Sequence, residues 1–135
     1  MQLVLGAPRL GRVRQISQHA EDLDRAVAFY GDVLGLTPLG RFGPLAFFDL
    51  SGTRLLLEEG GGSGPGGSVI YFAVDDIHAA STELRRRGVS FEDEPHRIHR
   101  DDQGIFGPAG EEEWMTFFRD SEGNLLALSS RIRPA

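Results

Sequence analysis

The chain carries one local grammar twice, and that repetition limits its fold more than any single residue. Val13 to Leu36, "VRQISQHAEDLDRAVAFYGDVLGL", holds an alternating stretch, an acidic turn and a helical apolar pattern. At an offset of 54, "SVIYFAVDDIHAASTELRRRGV" repeats that order, so Asp22 falls on Asp76. A second pair, "SGTRLLL" and "EGNLLAL", matches at an offset of 71, placing Gly52 on Gly123 and Leu56 on Ala127. The expected architecture is one module duplicated. In a chain of 135 residues each half buries too little apolar surface to stand alone, so the two should share one domain.

The alternation of Val13, Gln15, Ser17 and His19 predicts a strand over Arg12 to Ala20. Asp22 then starts a helix whose apolar positions run from Leu23 to Leu34, with Gly35 as its stop. Strands are expected over Pro38 to Phe42, Leu45 to Leu50 and Thr53 to Glu58. Module 1 thus spans about 12–59, a Gly-rich connector 60–67, and module 2 about 68–131. "GGGSGPGG" does not read as a phosphate loop, because a strand follows it and no Gly-Lys pair occurs.

In module 2 the reading gives a strand over Ser68 to Val74 and a helix over Ile77 to Arg87. The arginines of "RRRG" suit the negative end of the helix dipole better than an anion site. Strands follow at Val89 to Glu94, Glu113 to Arg119 and Leu125 to Ser130. The two offsets differ by 17 residues, which fall in "HRIHRDDQGIFGPAGEE" and read as a polar flap or rim.

Charge and composition exclude more than they assign. A net charge of −6 argues against nucleic acid or an anionic membrane as partner. With no cysteine, disulfides, thiolate metal sites and a cysteine nucleophile are excluded, and a reducing cytoplasm is the expected setting. The start "MQLVLGAPRLGRV" is too short an apolar run for a signal peptide, and no stretch approaches the roughly 18 apolar residues of a membrane span.

The runs "DLDRAVAFYGDVLGL" and "FFRDSEGNLLAL", with the repeated strand and Asp-containing turn, resemble the vicinal oxygen chelate superfamily over nearly the whole chain, Arg12 to Ser130. That superfamily includes glyoxalase I, methylmalonyl-CoA epimerase, extradiol dioxygenases, fosfomycin-resistance transferases and bleomycin-binding proteins. The resemblance implies an α+β domain of two βαβββ modules, each curling a sheet into a half-barrel around a ligand cavity. In metal-dependent members four ligands, usually His, Glu or Gln, come from the first and last strands of each module.

Carried onto this chain, those positions fall on Gln15, Leu56, Val69 and Ala127. Three are apolar, and a lone neutral amide cannot hold a divalent ion at useful occupancy. No cofactor is therefore expected, and a metal is disfavoured. Glu58 shares the parity of Leu56 whereas Glu59 does not, so Gln15, His19 and Glu58 could form a displaced metal site. His19 is also a candidate acid or base.

The expected ligand contacts are Gln15, Ser17, His19, Leu56, Glu58, Val69, Tyr71, Trp114, Phe117 and Ala127. Parity leaves open whether Trp114 or Met115 and Phe117 or Phe118 face the cavity. His78 should be exposed on its helix, and His96 and His99 should point to opposite sides of their segment. The function expected is a metal-free homodimer that binds a small, partly apolar molecule between its modules. The alternative is a metal-dependent lyase, isomerase or dioxygenase, and an interaction module without a ligand stands third.

Overall fold

The computed structural model describes residues 12–60 and 67–135. The expectations for the N-terminal run and for most of the Gly-rich connector lie outside these residues. Module 1 contains β1 (Gln15–Ala20), α1 (Leu23–Ala28), β2 (Thr37–Phe42), β3 (Leu45–Leu50) and β4 (Thr53–Glu59). Module 2 contains β5 (Ile70–Ala73), α2 (Ile77–Arg86), β6 (His96–Asp101), β7 (Glu111–Arg119) and β8 (Leu125–Ile132).

Each module forms a four-stranded sheet of the same topology: β1-β4-β3-β2 in sheet A and β5-β8-β7-β6 in sheet B. In both, the first strand pairs parallel with the last, and the other pairs are antiparallel. The registers carry the repeat: Ser17 pairs with Leu56 and Tyr71 with Ala127, equivalent positions at the two offsets. Both helices start the same way. Asp22 Oδ1 accepts the Arg25 N–H at 3.1 Å, and Asp76 Oδ1 accepts the Ala79 N–H at 3.0 Å, each from an extended backbone.

Period-two alternation assigns the sheet faces. Ala46 and Phe48 of β3, Leu55 and Leu57 of β4, and Leu126 and Leu128 of β8 are buried toward the helices. With Leu23, Tyr30, Ile77 and Phe118 they form one core cluster that joins the modules. The opposite, open faces carry the residues of interest. After Ala28, α1 continues as a π-helical turn, Phe29–Val33, which ends before Gly35 at φ 76°.

Two expectations for module 2 are corrected. Val89 to Glu94 is not a strand: it makes one isolated bridge, Phe91 to Phe118. Its groups are used locally instead, since the Asp93 carboxylate accepts from Thr116 Oγ1 at 2.8 Å and from the Phe117 N–H at 2.9 Å. The missing strand is β6, inside the segment read as a flap. An edge strand exposes much of its length, so "HRIHRD" needs few apolar residues to pair with β7. Asp101 anchors the connection that follows, accepting from the Ile105 and Phe106 N–H groups and from Arg131 Nη2.

Candidate functional site

Three register rows cross the open face of sheet A. The first holds Phe42, Leu45, Glu58 and His19, the second Gly40, Phe47, Leu56 and Ser17, and the third Thr37, Asp49, Arg54 and Gln15. Gln15, Ser17, His19, Leu56 and Glu58 therefore share one face, as parity predicts. Strand spacing of about 4.8 Å sets His19 beside Glu58, within reach of proton exchange through a ligand.

Gln15 lies four residues from His19, about 13 Å along the strand. Metal ligands sit only about 2.0–2.2 Å from the ion, so Gln15, His19 and Glu58 do not converge on one ion. The family-type corners do not fit one either: Gln15 stands diagonal to Leu56, and half-buried Val69 stands diagonal to fully buried Ala127. Neither hydrocarbon supplies a lone pair. Among the described residues no group of three or more His, Asp or Glu is placed to hold a metal.

Sheet B resolves the question parity left open. Tyr71, Ala127 and Phe117 form one row on the open face, with the Tyr71 and Phe117 rings edge to face at 6.0 Å. Met115 shares that face by register. Trp114 lies on the other face, its ring 5.6 Å from that of His78 on α2, so it does not belong with the expected ligand contacts. Phe118 is buried in the core. His78 is exposed on α2, as expected.

His96 and His99 are also corrected. A bulge between Arg97 and His99 resets the alternation, so they pair with Met115 and Glu113, both open-face residues. They remain separately engaged: His96 Nδ1 with the Glu94 carbonyl at 2.9 Å, and His99 with the Phe106 ring at 5.6 Å.

Three cavities adjoin these faces. One of about 460 Å³ on sheet A is lined by Leu39, Phe42, Leu45, Phe47 and Arg54. A second of about 260 Å³ lies on sheet B among Ala73, Phe106, Glu113, Ser129 and Arg131. There Arg131 is shared by Asp101, Glu111 and Glu113, and hydrogen bonds from the Phe106 and Ile105 N–H groups and Arg131 outweigh burial to hold Asp101 below the usual carboxylate range. A third of about 430 Å³ lies between the modules, where Asp49, Ser51 and Thr53 approach Tyr71 and Ala73. Arg54 and its apolar neighbours were absent from the sequence expectation, although Arg54 shares the parity of Leu56.

Glu59 turns the other way, toward α1, where its carboxylate accepts the Leu23 N–H at 2.6 Å. Glu122 joins it by accepting the Asp22 N–H at 2.7 Å and pairing with Arg25 at 2.8 Å. Burial opposes ionisation of Glu122, but the bonds from Arg25, Asp22 and Ser121 prevail and lower its pKa to about 2. This acidic pair serves the helix start and is no part of the open face.

A family model described as Glyoxalase/Bleomycin resistance protein/Dioxygenase superfamily matches residues 12–128. Among solved structures, lactoylglutathione lyase from Agrobacterium tumefaciens is 25% identical with a TM-score of 0.69, over 91% of this chain and 96% of that one. A glyoxalase/bleomycin resistance protein/dioxygenase from Nocardioides is 18% identical with a TM-score of 0.74, over 97% and 90%. A superfamily member from Sphaerobacter thermophilus is 23% identical with a TM-score of 0.70, over 90% and 98%. A search of curated proteins finds no match.

Proposed function

The chain belongs to the glyoxalase/bleomycin resistance protein/dioxygenase superfamily, and from that premise we propose that it is a metal-free member binding a small, partly apolar molecule. The observation that carries this reading is the chemistry of the four corners. Leu56 and Ala127 occupy equivalent register positions, and with Val69 they offer hydrocarbon where a metal needs lone pairs. Around them Gln15, Ser17, His19, Glu58 and Tyr71 supply polar contacts, while Phe47 and Phe117 supply apolar wall.

Such a protein sequesters its ligand or moves a proton on it through the neighbouring His19 and Glu58. Its setting is the cytoplasm, consistent with the lack of cysteine. No helix among the described residues is long and apolar enough to cross a membrane. Exposed Ile105 and Phe106, outside the sheet A wall, support a homodimer.

Purification without a histidine tag, equilibration with Ni, Zn, Mn and Fe(II), and measurement of bound metal test the reading. The expected result is no stoichiometric ion, together with a rise in melting temperature for some members of a broad compound library. One equivalent of tightly held ion, lost in Gln15→Ala, would sink it.

A further inference from the structure

The wall of sheet A has a chemical asymmetry that the ligand-binding reading does not require. Of the five residues lining its cavity, Leu39, Phe42, Leu45 and Phe47 are apolar, and Arg54 is the only charged one. The Phe42 and Phe47 rings meet edge to face at 6.0 Å, and Leu39 and Phe42 are both more than half exposed, so this apolar surface is open to a visitor.

Arg54 differs from most arginines of the chain. Arg25, Arg41, Arg86, Arg119 and Arg131, among others, are in ion pairs, whereas among the described residues no carboxylate lies within ion-pairing distance of Arg54. Its nearest acidic neighbour by register is Asp49, but Asp49 Oδ1 is turned to the Gly52 N–H at 2.9 Å. Gln15, opposite Arg54 on β1, adds an amide beside the guanidinium. In a protein of net charge −6, an unpaired arginine over an aromatic wall is a complementary site for one kind of small molecule.

We propose that this wall of sheet A selects an amphipathic carboxylate, an aromatic or medium-chain acid whose anionic head meets Arg54 while its apolar body lies across Phe42, Phe47, Leu39 and Leu45. The proposal rests on the ligand-binding reading and adds the charge and orientation of the ligand. The planar guanidinium donates two parallel N–H groups to a carboxylate, which a neutral amide of the same shape cannot match and an amine opposes. The head is held at the row of Arg54 and Gln15, two rows from His19 and Glu58; Asp49 shares that row, with its Oδ1 engaged by the Gly52 N–H, so the head meets Arg54 from the Gln15 side.

The test uses the full chain with 4-phenylbutyrate, 4-phenylbutyramide and 4-phenylbutylamine, followed by titration calorimetry and by amide chemical shifts. Expected is binding of the acid at least about tenfold tighter than the amide, no detectable binding of the amine, and weaker acid binding at high salt. Arg54→Gln, a substitution at an exposed position, should lower acid affinity by at least about tenfold, to the level of the amide, while leaving the melting temperature of the ligand-free protein unchanged. Phe47→Ala should weaken acid and amide alike. Equal affinity of acid and amide, or acid binding untouched by Arg54→Gln, overturns the anion assignment and leaves the metal-free ligand reading standing. Failure of all three probes overturns the assignment too, whereas the broader reading falls only on the metal and library measurements.

Discussion

The two junctions between the modules are equivalent by the repeat and built in opposite ways. At one, the β7–β8 turn closes on α1. Tyr30 donates to Asp120 Oδ2 at 2.6 Å, Asn124 Nδ2 donates to the His19 carbonyl at 2.8 Å, and Glu122 takes the Asp22 N–H and Arg25. At the other, the β3–β4 turn faces β5 across the cavity of about 430 Å³. The offsets show why. Arg25 corresponds to Ala79, Tyr30 to Leu84 and Glu122 to Ser51, so three of the groups that lock the first junction have apolar or shorter counterparts at the second, although Asp120 recurs as Asp49. Glu59, which receives the Leu23 N–H, corresponds to Ser130, whose buried hydroxyl has no hydrogen-bond partner among the described residues. The two halves share one frame, while the network from the turn to a helix is present at one junction and a cavity lies at the other.

The largest test of that contrast is a matched pair of deletions. Asp120→Ala strips acceptors from the Glu122 and Asn124 N–H groups, from Asn124 Nδ2 and from the buried Tyr30 hydroxyl. It should cost about 3 kcal/mol in urea denaturation. Asp49→Ala at the equivalent site forfeits only the bond from the Gly52 N–H and should cost less than about 1 kcal/mol. Comparable losses would dissolve the distinction.

Strong acid should weaken the closed junction. The folded pKa of Glu122, about 2, lies below its ordinary value of 4.5. Its contribution is therefore complete above about pH 4.5 and disappears as pH falls toward 2. That contribution is on the order of 2 kcal/mol, and Glu122→Gln should flatten the fall of melting temperature across this window. An unchanged acid limb would show that Glu122 is not the group responsible.

Tyr30→Phe probes the same lock more gently. Burial first, and then the Asp120 charge, raise the Tyr30 pKa, so the hydroxyl stays protonated and donates at all ordinary pH values. Its removal should cost about 1–2 kcal/mol and speed hydrogen exchange at the Glu122 and Asn124 amides. In the open junction the smallest effect is expected with the reverse sign. Ser51 sits at φ 56°, a left-handed conformation that suits glycine, so Ser51→Gly should stabilise by about 0.5 kcal/mol in a thermal melt. A loss of stability there would mean that the Ser51 side chain holds the junction after all.

What could be read in advance follows the range of each interaction. Asp22 and Asp76 were legible as helix starts because a cap reaches three residues along the chain. Gln15, Ser17 and His19 were legible as one face because a regular strand alternates. His96 and His99 were misread because the bulge after Arg97 breaks that alternation, and pairing with β7 rather than local pattern accommodates it. "HRIHRD" was passed over as a strand because an edge strand needs little hydrophobicity. Trp114 could not be assigned because both faces of β7 carry aromatic residues, and only the docking of α2 distinguishes them.

By itself the sequence determined the duplicated frame, the two helix starts, the sheet faces and the apolar character of three of the four corners. All of these depend on residue type and on the periods of helix and strand, which neighbours along the chain set between them. Tertiary structure alone decided that Arg54 lies unpaired over an aromatic wall, and that one junction is locked while its equivalent is open. Those outcomes depend on contacts between residues as much as 105 positions apart, such as Asn124 Nδ2 on the His19 carbonyl, and no local period encodes which distant partner a side chain meets.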